Sequence, residues 1–220
     1  MQILQPEDQH WENSVIESFL KIVKSVDGDF EAVTELSNTV SDPNSLDLII
    51  EFLCRHPRGK QAFEEKFLLG EVNLQKLYQY PKNTLGYCYA AHMIENGLSP
   101  FETHEINNKY QYLSVHIRET HDLWHIVTGC NTNMIGEIQL ESFYVAQLYA
   151  SRFWLALIAK NLTKLVIYDI EKSTEYMDAI TRGWIMAKQA EPLFGVQWNN
   201  LWETPLDEVR QSLNIILPDI

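Results

Sequence analysis

Long apolar runs, basic charge and cysteine are all scarce in this 220-residue chain, and each shortage excludes something. A membrane-spanning helix needs roughly 18 consecutive apolar residues, whereas the run at 153–159 ends after seven. Lys and Arg number 17 against 30 Asp and Glu, for a formal charge of -13. A general nucleic-acid binder needs clustered cations to neutralise phosphates, so that class is disfavoured. Electrostatic attachment to anionic lipid is disfavoured too, which leaves local apolar contact as the way this chain would meet a membrane. Cys54, Cys88 and Cys130 are odd in number and widely spaced, as befits reduced thiols in a reducing compartment. No Gly-rich phosphate loop, internal repeat or low-complexity tract is present, which argues against a nucleotide-binding fold. Residues 1–10 lack the basic and apolar regions of a secretory signal and are too acidic for a mitochondrial presequence, so the expected location is cytoplasmic, in a bacterium.

What is present is helical patterning, with 45% apolar residues to fill the core of one domain spanning 1–220. Trp11, Val15, Phe19, Ile22, Val23 and Val26 recur at three- and four-residue steps and predict an opening helix that stops at Gly28. Ser45 is positioned to cap a helix over 46–55, and a further helix over 62–68 would stop at Gly70. Thr84 would cap 85–95, a segment closed by Gly97. Helices are also predicted from about Tyr110, over 137–160 and over 173–191. Strand signals are confined to 165–168 and 213–217, neither with a partner at hairpin spacing. The expected fold is all-α.

One cluster carries chemistry. His121, Asp122 and His125 would span an arc of roughly 100° on a helix. Gly129, Asn131, Thr132 and Asn133 break that helix, and Glu137, separated from His125 by eleven residues, opens the next one, which can fold back to close the site. Two imidazoles with two carboxylates point first to zinc or non-haem iron, whereas oxygen-only cages suit magnesium. The order differs from the His-Glu-x-x-His helix of zinc proteases, because a shorter Asp stands where their general base would be. A His-Asp pair also occurs in metal-dependent phosphohydrolases, which need a further upstream His; His92, His104 and His116 are candidates. The competing structural reading makes these ordinary helix residues satisfied by neighbouring polar groups. Cys130 reads as a small core residue.

At these residues the chain resembles the ubiquinone (coenzyme Q) biosynthesis family that holds fourth place in the yeast naming series, whose signature His-Asp-x-x-His-x(11)-Glu is met by His121, Asp122, His125 and Glu137. The similarity extends to Arg118-Glu119, Gly136-Glu137-Ile138, Pro81, Leu85-Gly86 and Tyr89, and to a closing pattern of Trp202, Pro205-Leu206, Arg210 and Leu213. The N-terminal third, up to about Gln79, and residues 164–175 match no motif of it. The resemblance implies an all-helical fold, a divalent metal usually described as zinc, and a long isoprenoid or prenylated-quinone ligand near the metal motif. It further implies a peripheral membrane protein, here at the inner face of the membrane, that supports assembly of other quinone-biosynthesis enzymes or carries out an oxidative decarboxylation of a prenylated benzoate ring. Carried onto this chain, His121, Asp122, His125 and Glu137 are the metal-site residues, with Asp122 or Glu137 as candidate base.

Phe143, Ala146, Ala150, Phe153, Trp154, Leu157 and Ile158 form an apolar stripe that serves as core and could also wall a channel for a prenyl tail, opened by Ala146, Ala150 and Gly183. The expected architecture is therefore a single-domain multi-helix bundle with an apolar channel between its central helices. Arg118 shares the face of His121 and Asp122, where it would orient Asp122 or hold an anionic head group. Tyr89, Tyr112 and Tyr144 are candidate pocket walls, as are Ala150 and Trp154, and Glu141 is a further candidate ligand. A homodimer is compatible with these features. The alternative function is a metal-dependent phosphohydrolase acting on a prenyl phosphate.

Overall fold

The computed structural model describes residues 6–26, 28–101 and 105–217. Among them the chain forms eleven α-helices and no strand, with one isolated bridge between Thr84 and Pro205. The helices are α1 (Pro6–Lys24), α2 (Phe30–Val40), α3 (Pro43–Leu53), α4 (Pro57–Glu65), α5 (Leu74–Leu77), α6 (Leu85–Glu95), α7 (Lys109–Thr128), α8 (Met134–Leu148), α9 (Arg152–Tyr168), α10 (Ser173–Gln189) and α11 (Leu206–Ser212).

Side-chain caps fix most of the starts by satisfying the orphan N–H groups of a first turn. The Thr84 hydroxyl accepts from Tyr87 N, as its place before the apolar run predicts. Asn108 accepts from Tyr110 N and Gln111 N at α7, and Asn133 from Gly136 N at α8. Asp42, rather than the predicted Ser45, caps α3, because Pro43 occupies the first helical position and shifts the start upstream. The segment predicted over 62–68 likewise begins earlier, at Pro57, and ends at the left-handed Lys66. Residues 165–168, β-rich by composition, are the last turn of α9.

The main departure from expectation lies in the predicted 137–160 helix. Tyr149 and Ala150 take positive φ values of 48° and 53°, so the chain breaks there and α9 starts anew at Arg152. The apolar stripe is thus divided between two helices that fold against each other. Phe143 on α8 is fully buried, whereas Ala150 is exposed at the corner.

Packing is densest where α10 lies along α8. A Cβ on Gly183 would sit 2.0 Å from the Gln139 carbonyl oxygen, so only glycine permits this approach. Ser142 Oγ donates to Ile180 O at 2.7 Å and Gln147 Nε2 to Ala187 O at 3.1 Å, tying the pair along its length. Gly183 is therefore a point of backbone contact and not the opening expected of it. A second apolar cluster joins α1, α2 and α9 through Ile22, Leu36, Val40 and Leu157. Between α1, α9 and α10 lies a cavity of about 510 Å³, lined on one part by Val23, Met134, Leu165, Tyr168 and Tyr176 and on another by Lys24, Ser25, Asn161, Lys164, Asp169 and Lys172.

Candidate metal centre

The centre is built where α7 ends and α8 begins. Gly129, at φ 69°, stops α7 with a left-handed residue that a side chain would disfavour. Arg210 then reaches across from α11, its Nε donating to Val127 O at 3.0 Å and its Nη2 to Ile126 O at 2.9 Å. A cation on the last carbonyls of a helix satisfies orphan acceptors and meets the negative end of its dipole. This explains, in physical terms, why an arginine stands in the C-terminal pattern.

His125, buried on the last turns of α7, places its Nδ1 2.9 Å from the Cys130 carbonyl. A carbonyl only accepts, so Nδ1 carries the hydrogen and Nε2 is left to face the site. His121, one turn earlier, turns its Nε2 to within 3.2 Å of that atom and sets its Nδ1 3.3 Å from the Tyr144 hydroxyl. Glu137 Oε1, on the first turn of α8, lies 3.3 Å from His125 Nε2. The ligand atoms of His121, His125 and Glu137 fall within 4.8 Å of one another. A tetrahedral ion with bonds of about 2.0–2.2 Å separates neighbouring ligand atoms by about 3.3–3.6 Å, so the two contacts at His125 Nε2 fit ligands of one ion. Two imidazole lone pairs this close repel unless a proton or a cation lies between them. The three side chains could therefore hold a divalent metal. The Glu137 side chain is 35% exposed, leaving the centre reachable from outside.

The electrostatics set the two imidazoles apart. Burial, reinforced by the neighbouring His125, pushes the His121 imidazole down to about 4, which keeps it neutral and able to donate a lone pair. Burial also opposes charge on His125, but the Glu137 carboxylate and the Cys130 carbonyl outweigh it and raise its pKa above the ordinary value. The Tyr144 phenol is raised well above its usual range, chiefly by burial, so it remains a neutral hydroxyl against His121.

An aromatic stack backs the site. Tyr144 is sandwiched between Trp154 at 4.0 Å and Trp124 at 4.2 Å, both nearly parallel to it, and Trp154 also lies parallel to His121 at 6.2 Å. The break at Tyr149–Ala150 is what folds α9 back far enough for this contact. Tyr144 and Trp154 stand beside the motif, as a filled stack and not as the walls of an open channel.

The other candidates separate cleanly. Asp122 lies at the edge of the centre, its Oδ1 3.6 Å from His92 Nε2, and is not among the three converging ligands. Burial works against its charge, but His92, His121 and His125 hold its carboxyl below the usual range. Arg118 does not orient it: the Arg118 side chain is exposed, with its guanidinium 5.2 Å from the Phe101 ring centre. Tyr89 is buried beside Trp202, and its phenol is raised by burial and by Asp122. His116 is used elsewhere: its Nδ1 meets Glu119 Oε1 at 3.0 Å, its Nε2 accepts from Gly195 N at 3.2 Å, and Glu119 in turn accepts from Leu69 N. Tyr112 donates to Phe67 O in the same neighbourhood. His104 lies outside the described residues. Glu141 is buried rather than facing water; it accepts from Asn161 Nδ2 at 2.8 Å, and burial raises its carboxyl to about 8. Two contributions escaped the sequence reading, namely the backbone carbonyl of Cys130 and the Trp124 face. A main-chain acceptor leaves no signature in residue type.

Comparison with known proteins decides the family. Residues 6–219 match the family described as Coenzyme Q (ubiquinone) biosynthesis protein Coq4. The chain belongs to this family. Its relatives include the ubiquinone biosynthesis protein COQ4 homolog, mitochondrial, of Aedes aegypti, 28% identical over 192 residues covering 82% of this chain and 66% of that protein. The mitochondrial COQ4 protein of Clavispora lusitaniae is 26% identical over 215 residues, covering 92% of this chain and 66% of its own length. The chain thus spans slightly under two thirds of these Coq4 relatives. A crystal structure described as a candidate ubiquinone biosynthesis protein of Nostoc punctiforme superposes with a TM-score of 0.83 at 24% identity, covering 93% of this chain and 98% of that one, and shares the fold.

Proposed function

We propose that this Coq4-family chain holds a divalent metal, zinc in the first instance with iron or magnesium as alternatives, and binds a long-chain isoprenoid or prenylated-quinone lipid at that centre. The observation that carries the metal is the convergence of His121 Nε2, His125 Nε2 and Glu137 Oε1, with the Cys130 carbonyl and the Tyr144 hydroxyl each set against the remaining imidazole nitrogen. Outer partners of this kind orient ligating imidazoles and fix their tautomers. A bound ion would polarise oxygen atoms of an aromatic head group. His121, His125 and Glu137 would hold that ion, and Asp122, outside the set, would be free to act as a base towards the head group. That assignment removes the conflict of one carboxylate serving both as ligand and as base.

For the lipid tail, the location we favour is the apolar part of the cavity between α1, α9 and α10, at Val23, Met134, Leu165 and Tyr168, since Met134 stands one turn before Glu137 on α8. Burying apolar isoprene units there contributes about 25 cal/mol per Å² removed from water. Val166, Ile167, Tyr168 and Ile170 are exposed at the end of α9 and offer the apolar contact with a membrane surface; no described helix is long and apolar enough to cross one. The chemistry we favour is oxidative decarboxylation of a prenylated aromatic acid. The competing role is a scaffold that presents the lipid to other quinone-biosynthesis enzymes, alone or as a homodimer. The phosphohydrolase reading receives no added ligand, because His116 is engaged with Glu119 and Gly195, His92 faces Asp122 and, among the described residues, only His121, His125 and Glu137 converge.

Native mass spectrometry of the gently purified protein tests the reading. A mass excess matching one divalent ion plus an isoprenoid-sized ligand supports it and leads to assays on prenylated aromatic acids. A chain that refuses zinc, iron, magnesium and prenyl compounds defeats it. Lipid retained in Glu137→Ala with turnover lost would favour catalysis over scaffolding, and phosphate released from a prenyl phosphate would favour the hydrolase.

A further inference from the structure

His92 lies in none of the motifs of the chain, yet it is the residue that meets the Asp122 carboxylate. It sits on α6, and its Nε2 stands 3.6 Å from Asp122 Oδ1. That nitrogen is buried and has no hydrogen-bond partner within ordinary bonding distance, so the aspartate is its polar neighbour. The His92 ring also lies nearly parallel to that of His125, 6.1 Å away, which places it beside the candidate centre. Asp122 adjoins His121 in sequence and carries the charge and ligand atoms of a fourth metal ligand, but its carboxylate is drawn towards α6 and out of the converging set.

We propose that His92 is a positioning residue that holds Asp122 outside the coordination set, so that an ion on His121, His125 and Glu137 keeps one position open to an exogenous molecule. The difference is chemical: three protein ligands with an open position are the pattern of catalytic sites, whereas four protein ligands close a site into a structural one. His92 thereby sets which kind of centre this is. Without its imidazole, the Asp122 carboxylate loses the polar neighbour that keeps it on the α6 side, and Asp122 becomes the fourth ligand. This inference rests on the metal reading above.

The experiment compares cobalt(II)-loaded wild type, His92→Phe, His92→Gln and the double variant His92→Phe/Asp122→Asn. Azide is titrated while the visible cobalt absorption is followed, and cobalt affinity is measured by competition with a chelator. Wild type and His92→Gln should respond to azide. His92→Phe, which keeps a flat aromatic ring but loses both nitrogens, should lose the azide response and bind cobalt about tenfold more tightly, the low end of the change that neighbours of bound metals produce. The double variant should regain the response, and circular dichroism should confirm that each variant is folded. An unchanged azide response in His92→Phe overturns the proposal. So does a weakening of cobalt affinity in that variant, which would mean that His92 supports Asp122 as a ligand. A wild-type protein that takes up no cobalt defeats the metal reading and this inference with it, an outcome separate from the other two.

Discussion

Gly183→Ala is the substitution whose effect can be worked most directly from the structure. The added methyl would lie 2.0 Å from Gln139 O, 2.9 Å from Gln139 C and 3.2 Å from Ser142 Cβ. Heavy atoms in good contact stand about 3.5–4.0 Å apart, so α10 must withdraw from α8 by more than about 1 Å. Overpacking of this kind costs about 1–3 kcal/mol and at times more. The bonds from Ser142 to Ile180 O and from Gln147 to Ala187 O stretch with it, at about 1 kcal/mol each. Alanine returns about 1 kcal/mol through its better helix propensity. The balance is a loss of about 2–4 kcal/mol, which for a chain of this size lowers Tm by roughly 5–15 °C. Thermal unfolding followed by far-UV circular dichroism measures it. Because Gln139 follows Glu137 by two residues on α8, the same shift should loosen the contact between Glu137 and His125 and weaken metal binding. An unchanged or raised Tm would refute the argument, since it would mean that α8 and α10 are free to part.

Four further outcomes are expected. Saturating divalent metal should raise Tm, by about 2.7 kcal/mol of added stability at a hundredfold excess over Kd, and Glu137→Gln and His125→Ala should abolish the rise in differential scanning calorimetry. Tyr144→Phe keeps the stack but removes the hydroxyl from His121, so metal affinity measured by chelator competition should fall about 10–100-fold while Tm moves little. The buried Glu141 carboxyl, raised to about 8, binds its proton more tightly folded than unfolded; its stabilising contribution is complete below the unfolded pKa near 4.5 and is lost as pH rises through about 8. Glu141→Gln should therefore raise Tm relative to wild type at pH 8 to 9 and change it little at pH 5, and a difference independent of pH would contradict the assignment. Arg210→Ala removes two charge-assisted bonds from the end of α7 and should destabilise the chain by about 1.5–3 kcal/mol in urea unfolding, with Arg210→Lys restoring only part.

Much of this architecture was legible because it is written in local chemistry. Thr84 before an apolar run and Glu95 before Asn96-Gly97 delimit α6 as predicted, and the run from Lys109 to Thr128 ends where glycine first appears. The convergence of His121, His125 and Glu137 followed from helical spacing and one short loop. Other features depend on contacts between distant segments. Tyr149 and Ala150 are neither glycine nor proline, and their left-handed conformations are held by α9 packing back on α8, so a continuous helix was the natural reading. α2 went unread because Val33, Thr34, Ser37, Asn38 and Thr39 are weak helix formers; its Asp29 cap and the burial of Leu36 and Val40 against α1 and α9 supply what propensity does not. The meeting of His92 with Asp122 joins residues thirty apart, a distance over which no periodicity speaks. Arg118, placed on the face of His121 by spacing, instead lies over Phe101, because a long exposed side chain follows its local surroundings rather than its helical register.

The Arg210 clasp has a temporal side. A polypeptide is made from its N-terminus, so α7, the loop that brings the Cys130 carbonyl to His125, and Glu137 all leave the ribosome before the guanidinium that braces Ile126 and Val127 exists. During synthesis there is an interval in which His121, His125 and Glu137 have all been made while the end of α7 is still unbraced. The residues of the candidate centre are therefore made early, and the brace on the end of α7 arrives only with a residue more than seventy positions downstream.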